Sequence, residues 1–363
     1  MVRPQEAVGG GVRGNPGALL NMYTEFFGLS KEPFRLTPDP EFLYLTPQHR
    51  EALAGITYAI VGRKGFTVLT GDAGTGKTTL LTRVLGHLPT GRVQSSVIIN
   101  PTLSPSEFLE STMLDFGFQE IPDSKAQRIV QFQAFLWKAQ REGRITALIV
   151  DEAHKLSLEV LEEIRLLGNF ESAQEKLLQV VLVGQSELDE LLDREPLRQF
   201  KQRVAMRLTI EPLKGLEVER YISHRWLIAG GAQPPFSGDA VLAIAQASRG
   251  IPRIINVICD NALMQAFGDG LARVEGRHIL AVCKELRLIA PAAQPAAAVS
   301  KPIAPLPARA VIASPPPLPV NGTTSFEAHP FKTLERYSAG VPRRSLSERL
   351  LAKLRPRQKV EPA

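Results

Sequence analysis

The chain has 363 residues, 44% of them hydrophobic and 22% charged, which suits about two ordinary globular domains. No apolar run approaches the roughly 18 residues that a membrane-spanning helix needs. The formal net charge is +6. Nine lysines and arginines against three glutamates between residues 331 and 363 account for that whole excess, so the rest of the chain is near neutral and lacks a general nucleic-acid-binding charge.

Residues 1–17 are glycine-rich, with Arg3 and Arg13 as the only cations and no apolar stretch, so a secretory signal is not expected. Residues 1–21 are read as a flexible extension, with Met22 an alternative start. Residues 23–53 are rich in aromatics, and Pro33, Pro38 and Pro40 disfavour a continuous helix there. The spacing of Leu53, Ile56 and Ile60 predicts a helix over residues 49–61, and the apolar run 66–70 predicts a buried strand.

Gly71, Asp72, Ala73, Gly74, Thr75, Gly76, Lys77, Thr78 and Thr79 follow that strand directly and fit the phosphate-loop pattern GxxxxGK[ST]. A helical pattern with Leu80, Leu81, Val84 and Leu85 comes next, which is the context the motif requires. A glycine-rich turn lets backbone N–H groups curl around phosphate oxygens, and the helix that follows presents its positive end to the same anion. Lys77 is expected to reach the β- and γ-phosphates of a nucleoside triphosphate, and the Thr78 hydroxyl to ligate Mg²⁺.

Further along, residues 97–99 read as a strand, Ser104 or Ser106 as a helix cap, and residues 124–141 as a helix with Phe132 and Leu136 facing inward. Strand-like runs recur at 147–150, 178–183 and 207–210, with a helical pattern over 158–168 between them. Near-continuous apolar strands alternating with helices predict an α/β fold with a parallel sheet covered on both faces. The run 147–150 ends in Asp151 and Glu152. Phosphoryl transfer depends on positioning and charge neutralisation, which assigns Asp151 to Mg²⁺ and Glu152 to catalysis as the base. Residues 151–154 also spell the box of a helicase class, but none of the further motifs accompany them. Gln185, at the tip of strand 178–183, is placed between metal, water and γ-phosphate. Residues 197–204 read as a cationic helix. Arg203 within it is the candidate catalytic arginine supplied across a subunit boundary, with Arg198 as the alternative.

From residue 213 the strand signals stop. Helices are predicted over 218–227, 237–248, 253–267 and 276–288, an all-α module with Gly250 as a stop signal. In Gly250-Ile251-Pro252-Arg253, Arg253 falls in the first turn of a helix, where an anionic ligand would offset its conflict with the helix dipole. It is read as reaching the γ-phosphate from the lid side. Cys259 and Cys283 lie in apolar helical patterns without metal-ligand spacing and read as buried free thiols of a reducing compartment. Beyond residue 290 the alanine- and proline-rich composition predicts a disordered linker, ending in a basic tail whose residues 345–354 have an amphipathic pattern. The domain reading is therefore 1–21, a core over 22–212, a lid over 213–289, and a tail over 290–363.

Taken together, residues 23–29, 38–40, 65–79, 151–154, 161–165, 182–185 and 250–260 resemble AAA+ ATPases of the general secretion pathway protein A group, which sits near transposition-regulator and origin-recognition ATPases. The resemblance runs from residue 22 to about 288. It implies a P-loop NTPase sheet ordered 5-1-4-3-2 beneath a helical lid, ATP and Mg²⁺ as cofactors, hydrolysis to ADP and phosphate, and a nucleotide held between protomers of a homo-oligomer. It also implies a protein partner in a cell-envelope system. Secretion members continue into a transmembrane helix and a periplasmic peptidoglycan-binding region, neither visible after residue 290, and an ATPase of envelope polysaccharide export fits the layout as well. A cytoplasmic protein is expected, with peripheral contact at the inner membrane through the basic tail. The competing readings are a nucleic-acid-binding regulator of transposition type, less favoured because the core is neutral, and a slow nucleotide switch acting as a scaffold.

Overall fold

The computed structural model describes residues 22–288, apart from 90, 100 and 101. The readings made for residues 1–21, for the linker and basic tail from 290, and for the amphipathic segment 345–354 lie outside the described residues. α1 (Met22–Phe26) and α2 (Pro47–Val61) precede β1 (Phe66–Gly71), α3 (Lys77–His87) and β2 (Val93–Ile98). Then come α4 (Pro105–Phe116), α5 (Lys125–Arg141), β3 (Ile145–Val150), α6 (Leu158–Leu167) and β4 (Leu178–Val183). The short helices α7 (Glu187–Leu192) and α8 (Arg198–Lys201) lead into β5 (Val204–Ile210).

Among the described residues the five strands form one parallel sheet in the order β2-β3-β4-β1-β5, the expected order read from the other edge. β1, β3 and β4 are buried at every position because alternate side chains feed two cores. Val68, Leu148, Val150, Val180 and Leu182 pack with α4, α5 and α6 on one face. Leu69, Ile149, Val181 and Val183 pack with α2 and α3 on the other.

Two strands begin three or more residues before the apolar runs predict. β2 begins at Val93 rather than 97, and β5 at Val204 rather than 207. Both are edge strands with polar residues on the outward positions, such as Gln94, Arg207 and Thr209, so a search for continuous apolar runs finds only their ends. For the same reason the cationic helix expected over 197–204 contracts to α8: Val204 already pairs with Phe66. Ser104, not Ser106, caps α4 through a reciprocal box with Glu107, while Ser106 receives the Arg128 guanidinium at 3.1 Å.

The helical module comprises α9 (Leu216–Ile228), α10 (Gly238–Ser248), α11 (Pro252–Gly268) and α12 (Gly276–Glu285). Its core includes Trp226, Ile255, Cys259 and Leu263, and also Tyr23, Leu29, Phe34 and Phe42 of the aromatic lead-in. The lead-in thus precedes the sheet in sequence and shares its apolar cluster with the lid. Buried Arg225 clasps the two: its guanidinium lies 4.8 Å over the Phe42 ring, donates to the Pro33 carbonyl and donates to the Tyr221 hydroxyl at 3.1 Å. Tyr23 donates to Asp260 Oδ1 at 2.7 Å, and burial raises the pKa of both groups. Cys259 and Cys283 are both buried and free, as expected.

Phe34 is fully buried in this shared core. Phe34→Ala is expected to cost about 3–5 kcal/mol by loss of contacts and creation of a cavity. Urea denaturation monitored by tryptophan fluorescence measures it, and a loss below about 1 kcal/mol would show that the lead-in is dispensable to the lid.

Candidate nucleotide-binding site

β1 ends at Gly71 and α3 begins at Lys77, so the loop between them crosses the carboxyl end of a fully buried strand. No side chain caps α3, which leaves N–H groups of its first turn open to an anion. At Gly74, with φ +82°, a Cβ would lie 2.7 Å from the Arg253 Cβ. Arg253 N donates to the Gly74 carbonyl at 3.2 Å, so the first turn of α11 rests on the loop. At Gly250, with φ +75°, a Cβ would lie 2.0 Å from the Leu213 carbonyl oxygen. Each approach requires glycine: the first seats the lid against the phosphate loop, and the second packs the start of α11 against the segment that opens the lid.

A cleft of about 370 Å³ opens there, the size of sites that take small ligands. Ala73, Gly74, Thr75, Gly76, Lys77, Thr78 and Thr79 line it together with Glu152, Gln185 and Arg253. Gly71 and Asp72 do not line the cleft, and their carbonyls accept hydrogen bonds from Lys77 Nζ at 2.6 and 2.8 Å. Burial lowers the Lys77 pKa, against the pull of Asp151 and Glu152. Thr78 Oγ1 donates to Asp151 Oδ2 at 2.8 Å, and Glu152 N donates to Asp151 Oδ1 at 2.9 Å. Burial pushes the Asp151 carboxyl above the usual carboxylate range, and the two hydrogen bonds oppose it.

Thr78 and Asp151 suit Mg²⁺: both are hard oxygen donors, and they already stand at hydrogen-bond distance from one another. Among the described residues no cluster of three or more His, Cys, Asp or Glu could hold a metal alone. Few protein ligands, with the remaining positions left to water and phosphate, is the usual pattern for Mg²⁺.

Glu152 adopts φ +56°, in the left-handed region that costs a non-glycine residue about 1 kcal/mol or more. Its carboxylate faces Lys155 Nζ at 3.1 Å and His154 Nε2 at 3.6 Å. Gln185, one residue past Gly184 at the end of β4, donates its backbone N–H to His154 Nδ1 at 3.3 Å. Of the site residues read from sequence, Arg203 alone stands elsewhere. It precedes β5 beside Val204, which pairs with the first residue of β1, at the end of the sheet opposite the loop. There it donates to the Arg165 carbonyl at 3.3 Å and to Asn169 Oδ1, whereas Arg198 is exposed.

Three features escaped the sequence reading. Arg35, Asp39, Phe42 and Tyr44 of the lead-in, with Tyr221 and Asn256 of the lid, form the outer wall of the cleft. Their only signal was the proline turn Pro38-Asp39-Pro40, which is local and says nothing of its partner. His49 is buried beneath the loop, its Nε2 3.3 Å from the Thr75 carbonyl and its Nδ1 2.7 Å from Thr46 Oγ1. His154 lies between Glu152 and Gln185.

A family model for an AAA domain matches residues 60–192. Those residues are an AAA domain. General secretion pathway protein A of Aeromonas hydrophila is 40% identical over 254 residues, which cover 70% of this chain and 46% of that protein. The chain therefore spans less than half the length of that relative. Among solved structures, the AAA+ fold recurs in the Aeropyrum pernix ORC2 protein in its ADPNP-ADP complexes, with TM-score 0.52 and 15% identity over 70% of this chain and 72% of that one. Drosophila ORC bound to DNA matches with TM-score 0.52 and 18% identity, over 79% of this chain and 71% of that one. Cdc6p of Pyrobaculum aerophilum matches with TM-score 0.52 and 16% identity, over 72% and 70%. In this AAA+ fold no described helix is long and apolar enough to cross a membrane.

Burial holds the His49 pKa below its ordinary 6.5, and His224 is lowered likewise, by burial first and Arg225 second. The unfolded imidazoles take up protons that the folded ones refuse, so the contribution of these two histidines to stability is complete above about pH 6.5 and falls as pH drops below it. His49→Asn is expected to flatten that decline between about pH 7 and 5.5, leaving the His224 share. Urea midpoints across the range test this, and an unchanged slope would refute it.

Proposed function

We propose that this AAA+ chain binds ATP with Mg²⁺, hydrolyses it to ADP and phosphate, and uses the cycle to assemble or remodel a cell-envelope system for secretion or polysaccharide export. One observation carries the chemistry: the Thr78–Asp151 hydrogen bond brings the phosphate loop and the acidic end of β3 to one point, with Glu152 and Gln185 on the same cleft. The loop N–H groups bind phosphate oxygens. Lys77 exchanges the Gly71 and Asp72 carbonyls for the β- and γ-phosphates, a better partner for a buried ammonium. Thr78 and Asp151 would hold the Mg²⁺, which when bound would supply positive charge to neutralise the phosphates. Glu152 takes the proton of the attacking water, Gln185 orients that water, and Arg253 meets the γ-phosphate from the lid.

Arg203 sits a strand's length from its own chain's phosphate loop, so the reading that it completes a site does so in a neighbouring copy. This supports a homo-oligomer in which turnover depends on assembly. The identity to general secretion pathway protein A supports a protein partner of the envelope and a location at the cytoplasmic side of the inner membrane.

Four outcomes are expected with the purified chain. Lys77→Ala abolishes retention of ATP, measured by equilibrium dialysis. Glu152→Gln retains ATP while kcat falls by about 10²–10⁴, the contribution of a general base. Arg203→Ala lowers kcat by on the order of 10³ without weakening ATP binding, and wild-type turnover per protomer rises with protein concentration. A strictly monomeric protein that hydrolyses ATP at full rate, or turnover indifferent to Glu152→Gln, would defeat the proposal.

A further inference from the structure

The short 3₁₀ turn Ala153–Lys155 places His154 between two residues to which the proposed function gives separate tasks. The imidazole is nearly buried, its side chain 11% exposed. Gln185 N–H lies 3.3 Å from Nδ1, and a backbone N–H can only donate. Nδ1 is therefore the acceptor, and in a neutral imidazole the proton resides on Nε2. That single N–H points into a gap with two candidate acceptors. Glu152 Oε2 lies 3.6 Å away, beyond hydrogen-bond length, and the Gln185 amide nitrogen lies 3.2 Å away; two N–H donors cannot bond one another, so the Nε2–H tautomer is satisfied only with that amide turned to bring its oxygen inward. The Glu152 carboxylate has a second holder in Lys155 at 3.1 Å.

We infer that His154 is a positioning residue that couples Gln185 to Glu152, its one Nε2–H shared between the Gln185 amide oxygen and the Glu152 carboxylate. The backbone N–H of Gln185 fixes the tautomer and the ring, so the donor cannot turn away. When the Gln185 amide oxygen takes the N–H, the Glu152 carboxylate loses one restraint and is free to face the water. When Gln185 turns its amide toward the cleft, the N–H returns to Glu152 and holds it aside. The state of the strand-tip glutamine is thereby transmitted to the base through one hydrogen, over two contacts and without movement of the backbone. Leu188 and the backbone of Gly184 and His154 pack closely around this point: a Cβ on Gly184 would lie 3.0 Å from Leu188 and 3.2 Å from His154 N.

This inference rests on the ATPase reading, and its test separates the two. Turnover and ATP binding are measured for the full chain, for His154→Ala, His154→Gln, Gln185→Ala and the His154→Ala/Gln185→Ala double variant, with thermal unfolding as the check on folding. His154→Ala is expected to lower kcat about tenfold or more, with KM and the Kd for ATP unchanged. The double variant should be no slower than the slower single variant, because both remove one coupling. His154→Gln, which keeps an acceptor and an N–H donor, should recover most of the rate. Independently, ¹⁵N–¹H spectra of the histidine-labelled wild type should show His154 as the Nε2–H tautomer. Additive losses, an unchanged kcat, or an Nδ1–H or doubly protonated ring would each overturn the inference. If wild type shows no turnover sensitive to Lys77→Ala, the ATPase reading fails instead, while the tautomer measurement still decides the contacts of His154 on its own.

Discussion

The hydrogen bond from Thr78 to Asp151 joins the first turn of α3 to the end of β3, across the tip of β4 that lies between β1 and β3 in the sheet. Everything else at the cleft is arranged around that tie. Thr78 can be there only because a loop of five residues after β1 delivers the helix start to the sheet's carboxyl edge. Asp151 can be there only because β3 is buried on both faces and ends flush with its neighbours. A carboxylate in that position is desolvated, and it is kept in place by the Thr78 hydroxyl and the Glu152 N–H rather than by water. Lys77 answers the same problem with the loop's own carbonyls. Burial acts against both charged forms, a condition that a Mg²⁺-triphosphate would relieve.

The lid solves a different problem. A module of four helices is small, and a core of that size is marginal unless more apolar surface is added. The chain supplies it from the lead-in, whose Tyr23, Leu29, Phe34 and Phe42 complete the cluster around Trp226 and Cys259. Arg225 secures the arrangement through a carbonyl, a hydroxyl and two aromatic faces. As a result the outer wall of the cleft and the lid are one packed body, and that body touches the phosphate loop at Gly74 through Arg253. Any tilt of α11 must be felt at the loop, since the approach is backbone to backbone and leaves no slack for a side chain to absorb.

Strain and polarity gather at Glu152. Its left-handed backbone persists because Asp151 on one side and the Ala153–Lys155 turn on the other fix it. The turn brings Lys155 and His154 to its carboxylate, and His154 in turn meets the strand tip at Gln185.

Much of this was legible in the residues. The phosphate loop, the acids after β3 and Gln185 after β4 are each announced by a local pattern, an apolar run followed at once by a polar tip; the structure brings the loop, Glu152 and Gln185 to one cleft and ties Asp151 to it through Thr78. The interior strands were equally plain, because a strand buried on both faces must be apolar throughout. Edge strands β2 and β5 were read short because their outward positions answer to solvent. What the chain by itself determined is the set of segments whose own composition demands a strand, a helix or a phosphate-binding turn. Only the tertiary structure decided that the lead-in completes the lid, that His49 lies under Thr75 and that His154 stands between Glu152 and Gln185. Those are contacts between segments distant in sequence or rings turned by their neighbours, and no local periodicity encodes where a side chain will find its partner.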